Sequence, residues 1–300
     1  MGNTWLPRLL DIDLSSGKVS TLRYSEEQVR PYIGGSGLAA SLLAESTGPD
    51  TDPLSESNVL IYSLGPLAGT IAPTSGRHHI TAKSPQTGIF GESDVGGYFG
   101  RALRRAGFAG LVIRGKAPGP AYILVEDAAR FDDSHAHEAV RVLDASSLWG
   151  KDAIAADEAL KARHGSDVEV SVIGQAGERL ARIAAIMHDG RSSRAAGRCG
   201  LGAVMGSKNL KAVVVRSTSN QVPLHDPEGF RESVRAENRH LPGGAARMGQ
   251  YGTAGGVVHA EEIGDLPIKN WFQGEFKEGA QKLSGVVMAE TILTKRFGCA

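Results

Sequence analysis

Arg194 and Arg198 lie four residues apart, among residues with little or no side chain, in GRSSRAAGRCGLGAVMGSKNLKAVVV (190–215). A guanidinium is a planar fork that clasps a phosphate or the edge of a planar heterocycle with two parallel hydrogen bonds. Ala195, Ala196 and Gly197 leave the main chain uncovered, so backbone N–H groups can reach the same ligand. Each charge-assisted hydrogen bond of this kind contributes about 1.5–3 kcal/mol. A solvated basic turn, with glycines serving geometry alone, fits this segment equally well. Two familiar phosphate motifs do not fit. Gly206-Ser207-Lys208 reverses the order of G-x-x-x-x-G-K-[ST], and the segment is expected to precede a strand without opening a helix. Gly200, Gly202 and Gly206 miss the G-x-G-x-x-G spacing of a dinucleotide site.

A second stretch, APTSGRHHITAKSPQTGIFGESDVGGYFG (72–100), has the same character. Arg77 follows Gly76, and Gly96-Gly97 are expected to open a helix, where N–H groups and dipole favour an anion. The alternative is two glycines relieving crowding where helix meets sheet. His78 and His79 are neighbours on an expected strand, so they face opposite sides and cannot chelate one metal together. They read as satisfied or exposed histidines, and Lys83 as a solvated strand end. Arg198 could lower the pKa of Cys199. With no histidine partner in view, that cysteine reads as an inert small residue. The pair Glu261-Glu262 has no partner pattern that names an acid and a base.

The elements that must position these residues are short. PRLLDIDL and VSTLRY flank a turn and form a hairpin. NVLIYSLGPLAG, RHHITAKS, GLVIRG, AYILVED, VEVSVIG and LKAVVVR read as strands. GGSGLAASLLAE, VGGYFGRALRRAG and KDAIAADEALKARHG read as helices, the last stopped by a glycine. Strands and helices do not alternate regularly, which disfavours a doubly wound parallel sheet and points to an α+β domain. After Arg216 the polar, proline-containing STSNQVPLHDPEG reads as a linker. GFRESVRAENRH and GVVMAETILTKRF read as helices beyond it. The domains are therefore expected at 1–216 and 217–300.

The 300 residues carry no formal net charge, which leaves no global attraction for nucleic acid or anionic membrane. No apolar run is long enough to span a bilayer, and the N-terminus has no signal-peptide pattern. Two cysteines, Cys199 and Cys299, make no disulfide framework, so a reducing cytoplasm is the expected compartment. The chain stops directly after a helical segment, and its short second domain would be marginal alone, so it reads as part of a longer protein.

The segments GGSGLAA, GPLAGTIAPTSGR, AKSPQTG, GGYFGRALRRAGFAGLVIRGKA, SVIGQAGE, AAIMHDGRSSRAAGRCGLGAVMGSKNLKAV and YGTAGG occur in this order across nearly the whole chain. Together they resemble the aldehyde ferredoxin oxidoreductases, a family of tungsten- or molybdenum-pterin enzymes. The resemblance implies an N-terminal α+β platform of two β-sheets with flanking helices, followed by a partial, mainly helical domain. It implies a metal held by two pyranopterin dithiolenes, with magnesium bridging their phosphates. By motif position, Arg77, Asp94, Gly96, Gly97, Arg194, Ala195, Gly197 and Arg198 would contact that cofactor. Asp94 stands where the family archetype carries asparagine; a carboxylate there can accept from pterin amines but cannot donate to a phosphate. The family's [4Fe–4S] cluster is held by C-x-x-C-x-x-x-C and a distant fourth cysteine. Cys299 falls at the first position, and the remaining thiolates would lie past residue 300. The implied partners are an aldehyde and ferredoxin or another electron-transfer protein, with a homodimer or electron-transfer subunits as the assembly. No catalytic residue is expected within these 300 residues. Two other readings share the resemblance: a tungsten enzyme of the same scaffold that reduces aromatic-ring thioesters, and a truncated, non-catalytic pterin-binding protein.

Overall fold

The computed structural model describes residues 6–127 and 135–295, with backbone alone at 136 and 242–247. The described residues divide into two compact units, one up to Asp226 and one from Pro227 onward. The stretch expected as a free linker stays with the first unit. Thr218 N donates to Asp127 Oδ2 at 2.6 Å, and Val222 is buried.

The first unit is built on two sheets of six strands each. β1 (Arg8–Asp13) and β2 (Val19–Arg23) form the expected hairpin, whose turn uses Gly17 at φ +70°. The one-turn α1 (Glu26–Val29) and then α2 (Gly35–Ser46) follow. β3 (Leu60–Leu64), β4 (His78–Lys83) and β5 (Phe90–Val95) make an antiparallel meander. α3 (Phe99–Arg105) then leads to β6 (Gly110–Arg114), which inserts between β1 and β3, parallel to β1.

The second sheet repeats this path. β7 (Ala121–Val125) and β8 (Val140–Asp144) form an antiparallel pair. α4 (Ala153–His164) is capped by Asp152, whose Oδ1 accepts from Ala155 N at 2.8 Å, and ends at Gly165 with φ +105°. β9 (Glu169–Val172), the one-turn α5 (Gln175–Glu178), β10 (Ile186–His188) and β11 (Arg194–Ala196) form the second meander. α6 (Leu201–Ser207) leads to β12 (Leu210–Val215), which inserts between β7 and β9, parallel to β7. Both sheets thus have the order hairpin, inserted last strand, meander.

Burial explains how the sheets stack. Leu10, Ile12, Tyr62 and Leu111 from the first sheet share one core with Ile123, Val213 and Ile186 from the second. Tyr62 and Ser171 join the sheets by a hydroxyl–hydroxyl hydrogen bond of 2.9 Å. The two short helices cross over between halves: α3 packs on β9 and β12, and α6 packs on β3, β4 and β5. On the outer faces, Leu38 and Leu42 of α2 cover Leu9, Ile61 and Val112, while Ala156 and Leu160 of α4 cover Leu124, Val170 and Val214.

The second unit holds α7 (Pro227–Tyr251), α8 (Val257–Glu262), α9 (Lys277–Lys282) and α10 (Gly285–Thr291). Glu261 is buried and accepts from Phe276 N at 3.0 Å, so this carboxylate ties a loop to a helix. Among the described residues, no helix is long and apolar enough to cross a membrane.

Candidate functional site

The two glycine- and arginine-rich stretches, about a hundred residues apart in sequence, meet where β5 and β11 lie side by side. Arg198 N donates to Ser93 Oγ at 3.2 Å, and Cys199 Sγ donates to Glu92 O at 3.5 Å. Ser84 Oγ donates to Cys199 O at 2.9 Å. Gly91 permits this approach: a Cβ there would stand 3.0 Å from the Cys199 Cβ. Cys199 therefore serves as a seam residue between the two loops, held at φ +63°.

Asp189 makes the second seam. Its Oδ1 accepts from Tyr98 N at 3.2 Å, just ahead of α3. Gly97, at φ +95°, has no room for a side chain, since a Cβ would lie 2.1 Å from Asp189 Oδ2. The anion at this helix entry is therefore the protein's own carboxylate. Burial raises the Asp189 pKa; the Tyr98 N–H, Arg194 and Lys161 pull it back. No sequence motif marked Asp189, which sits in MHDGR immediately before the basic segment.

Beneath the seams lie two fully buried histidines, His78 on β4 and His188 on β10. Their rings stand 5.0 Å apart, edge to face, and Phe99 packs 5.4 Å from each. Burial holds both neutral: the His78 pKa falls well below the ordinary histidine value, and that of His188 falls to about 3. The expectation of satisfied or exposed histidines fails for His78, which is buried with neither ring nitrogen hydrogen-bonded. Its aromatic neighbours, contributed by three separate segments, account for the burial.

The expected site residues are distributed as follows. Arg77, Asp94, Ala195, Gly197 and Arg198 are exposed, Gly96 and Arg194 are half-buried, and Gly97 is buried. Arg77 leads directly into β4, and Arg194 pairs with His188 across β10 and β11. Neither the Arg77 nor the Arg198 guanidinium has an acidic partner among the described residues. Uncompensated guanidinium charge beside bare backbone is the donor set an anionic, planar ligand requires, so these residues fit a phosphorylated pterin. Asp94 forms an ion pair with His79. Cys299 lies outside the described residues.

Other cations of the two stretches have different work. Lys83 is buried, not solvated, because its Nζ donates to the carbonyls of Gly48 at 3.0 Å and Pro49 at 2.5 Å. Lys208 is fully buried and donates to the carbonyls of Asn58 (2.5 Å), Gly115 (3.0 Å) and Glu56 (3.4 Å). Lys211 is fully buried as well and pairs with Glu178 while donating to Lys151 O at 2.8 Å. Both lysines therefore knit the fold and leave only arginines to face a ligand. The basic segment also opens a helix after all, α6, which the run of small residues from Leu201 concealed.

The first unit and the start of the second match known families. The model described as the N-terminal domain of aldehyde ferredoxin oxidoreductase matches residues 9–217. That for domains 2 and 3 of the same enzyme matches residues 230–300. A tungsten-containing aldehyde ferredoxin oxidoreductase of Pyrococcus furiosus is 40% identical over 296 residues, covering 97% of this chain and 47% of the relative. The WOR-like subunit of an aliphatic sulfonate oxidoreductase from the same organism is 31% identical over 292 residues, covering 91% of this chain and 44% of the relative. Among solved structures, the active site complex BamBC of benzoyl coenzyme A reductase superposes with a TM-score of 0.79 at 26% identity, over 99% of this chain and 45% of that chain. The chain thus spans about half the length of the relatives it matches. With the two-sheet α+β fold, these matches establish that the chain belongs to the aldehyde ferredoxin oxidoreductase family.

Proposed function

We propose that this chain is the cofactor-binding part of a tungsten-pterin oxidoreductase that converts aldehydes to carboxylic acids and passes the electrons to ferredoxin. The observation that carries this reading is the meeting of the two glycine- and arginine-rich stretches at β5 and β11, one from each half of the platform, in a chain whose curated relatives include tungsten-containing aldehyde ferredoxin oxidoreductases. The bound cofactor would supply a two-electron centre, so that aldehyde and water yield a carboxylic acid, two protons and two electrons. Arg77, Arg194 and Arg198 would hold its phosphates and pterin edges. The peptide groups of Gly96, Ala195 and Gly197 would line the same surface. Gly97 and Asp189 act from behind, fixing the path of the Gly96–Tyr98 segment. A buried, neutral His78–His188 pair keeps further positive charge away from the floor of the site.

Tungsten in place of molybdenum, magnesium bridging the cofactor phosphates, and a [4Fe–4S] cluster with Cys299 as its first ligand belong to the same proposal. So do a cytoplasmic location and a homodimer or electron-transfer subunits. The likeness to benzoyl coenzyme A reductase and to the sulfonate oxidoreductase subunit supports a second reading, the same scaffold acting on another substrate. Purifying the intact protein anaerobically decides between them. Stoichiometric tungsten and pterin with aldehyde-dependent ferredoxin reduction is the expected result. Cofactor without aldehyde turnover favours the second reading, and a cofactor-free protein contradicts both.

A further inference from the structure

His79, Glu92 and Asp94 stand on the outer face of β4 and β5; of the three, only Asp94 is among the residues expected at the cofactor. In the antiparallel register His79 lies opposite Asp94, and Glu92 is two residues before Asp94, so all three side chains share one face. The His79 Nδ1 is 2.7 Å from Glu92 Oε1 and also forms an ion pair with Asp94 Oδ1. The ligand atoms of the three groups lie within 4.8 Å of one another. The ring is held from behind: a Cβ on Gly35, the first residue of α2, would stand 3.0 Å from its Cδ2 and 3.1 Å from its Nε2.

This arrangement is short of positive charge. A single Nδ1–H can satisfy one carboxylate, yet two converge on it. Among the described residues no lysine or arginine pairs with Glu92 or Asp94, whose ion pairs are with His79 alone. Two carboxylates sharing one neutral donor repel each other. A protonated imidazole would leave one negative charge over, whereas a divalent cation with neutral imidazole leaves none.

We propose that His79, Glu92 and Asp94 form a binding site for a first-row divalent transition metal ion. One imidazole and two carboxylates suit Zn²⁺, Fe²⁺, Co²⁺ or Mn²⁺, while Mg²⁺ prefers an all-oxygen shell. Tetrahedral cation bonds of about 2.0–2.2 Å set ligand atoms roughly 3.3–3.6 Å apart, so His79 Nδ1 and Glu92 Oε1, now 2.7 Å apart, must open on cation binding, a movement within reach of the glutamate side chain. Three protein ligands leave at least one position for water. The two adjoining strands fix the ligands without help from any bound pterin, and Asp94 is the one residue the site shares with the cofactor reading.

The test uses the intact protein prepared without tungstate or molybdate and stripped with a chelator, titrated with Co²⁺ and then Zn²⁺. The expected result is one saturable Co²⁺ per chain with visible d–d bands, displaced by Zn²⁺ and retained in excess Mg²⁺. His79→Gln, Glu92→Gln and Asp94→Asn should each weaken binding by about tenfold or more. Thermal unfolding of each variant in chelator, compared with wild type, identifies any that fails to fold, and the others carry the test. Absence of saturable Co²⁺ binding in the wild type overturns the proposal, as does wild-type affinity in the folded variants.

Discussion

The two halves of the platform follow the same path through space with different chemistry at the equivalent place. In the first half the inserted strand β6 contributes Leu111, Val112 and Ile113, all fully buried and all apolar. In the second half the inserted strand β12 carries Lys211 as its second residue, and Lys208 stands just before the strand, both equally buried. Both inserted strands bury apolar residues, but the second half adds cations clamped onto carbonyls and a carboxylate. The comparison shows that topology fixes where a strand goes but not which interaction secures it. It also explains why a segment so rich in charge need not be a ligand loop throughout.

The most severe way to break the second half is to remove one member of its buried ion pair. Lys211→Met strands Glu178, whose side chain is only 7% exposed, and should cost about 3–5 kcal/mol by denaturant unfolding. Adding Glu178→Gln should recover a large part of that loss, because the stranded charge is what hurts. The same recovery has no counterpart in β6, where Leu111→Ala opens a cavity that a distant change cannot fill.

A milder comparison uses the two crossing helices. Gly100 of α3 and Gly202 of α6 both lack space for a Cβ, but their neighbours differ. The nearest atom to a Cβ on Gly100 is the His78 side chain at 2.9 Å; on Gly202 it is the Ala185 carbonyl at 2.5 Å. A side chain yields more readily than a backbone carbonyl. Gly202→Ala should therefore lose roughly 3 kcal/mol and Gly100→Ala roughly 1 kcal/mol, read as shifts in urea midpoint.

A further pair of effects is pH-dependent and of opposite sign. Burial lowers the Lys208 pKa from 10.5 to about 8. Between those values the unfolded chain holds a proton that the folded chain has released, so stability gains with rising pH across that window. Burial, with Asp189 adding to it, raises the Glu169 pKa from 4.5 to about 7. Between 4.5 and 7 the folded chain holds the extra proton, so stability falls as pH rises. Unfolding free energies of Lys208→Met and Glu169→Gln, subtracted from wild type at several pH values, should show the two slopes separately.

Much of this was legible in the sequence, for identifiable reasons. β3, β4, β6, β7, β9 and β12 carry β-branched and apolar runs bounded by glycine, proline or polar residues, and α4 carries its own cap and stop. The edge strands β5, β8 and β11 and the short β10 were hidden, whereas β2 was legible as half of the opening hairpin. FGESDV and RAA alternate poorly and lie exposed along one side, so neither β5 nor β11 announces itself. Without those two strands the twofold repetition of the path is invisible, because it resides in strand order and not in repeated residues. The arginines of the site could be named from their setting among small residues. Asp189, His188 and the His79–Glu92–Asp94 cluster could not, since each acquires its meaning from a partner on another strand.

In the proposed function both halves of the platform contribute to one cofactor surface. The most direct measurement is the tungsten and pterin content of the intact protein, purified anaerobically, for wild type, Arg77→Ala, Arg198→Ala and the double variant. Loss of about 1.5–3 kcal/mol per arginine corresponds to roughly ten- to hundredfold weaker retention in each single variant, with a deeper loss in the double. Full tungsten and pterin occupancy in the folded double variant would contradict the claim.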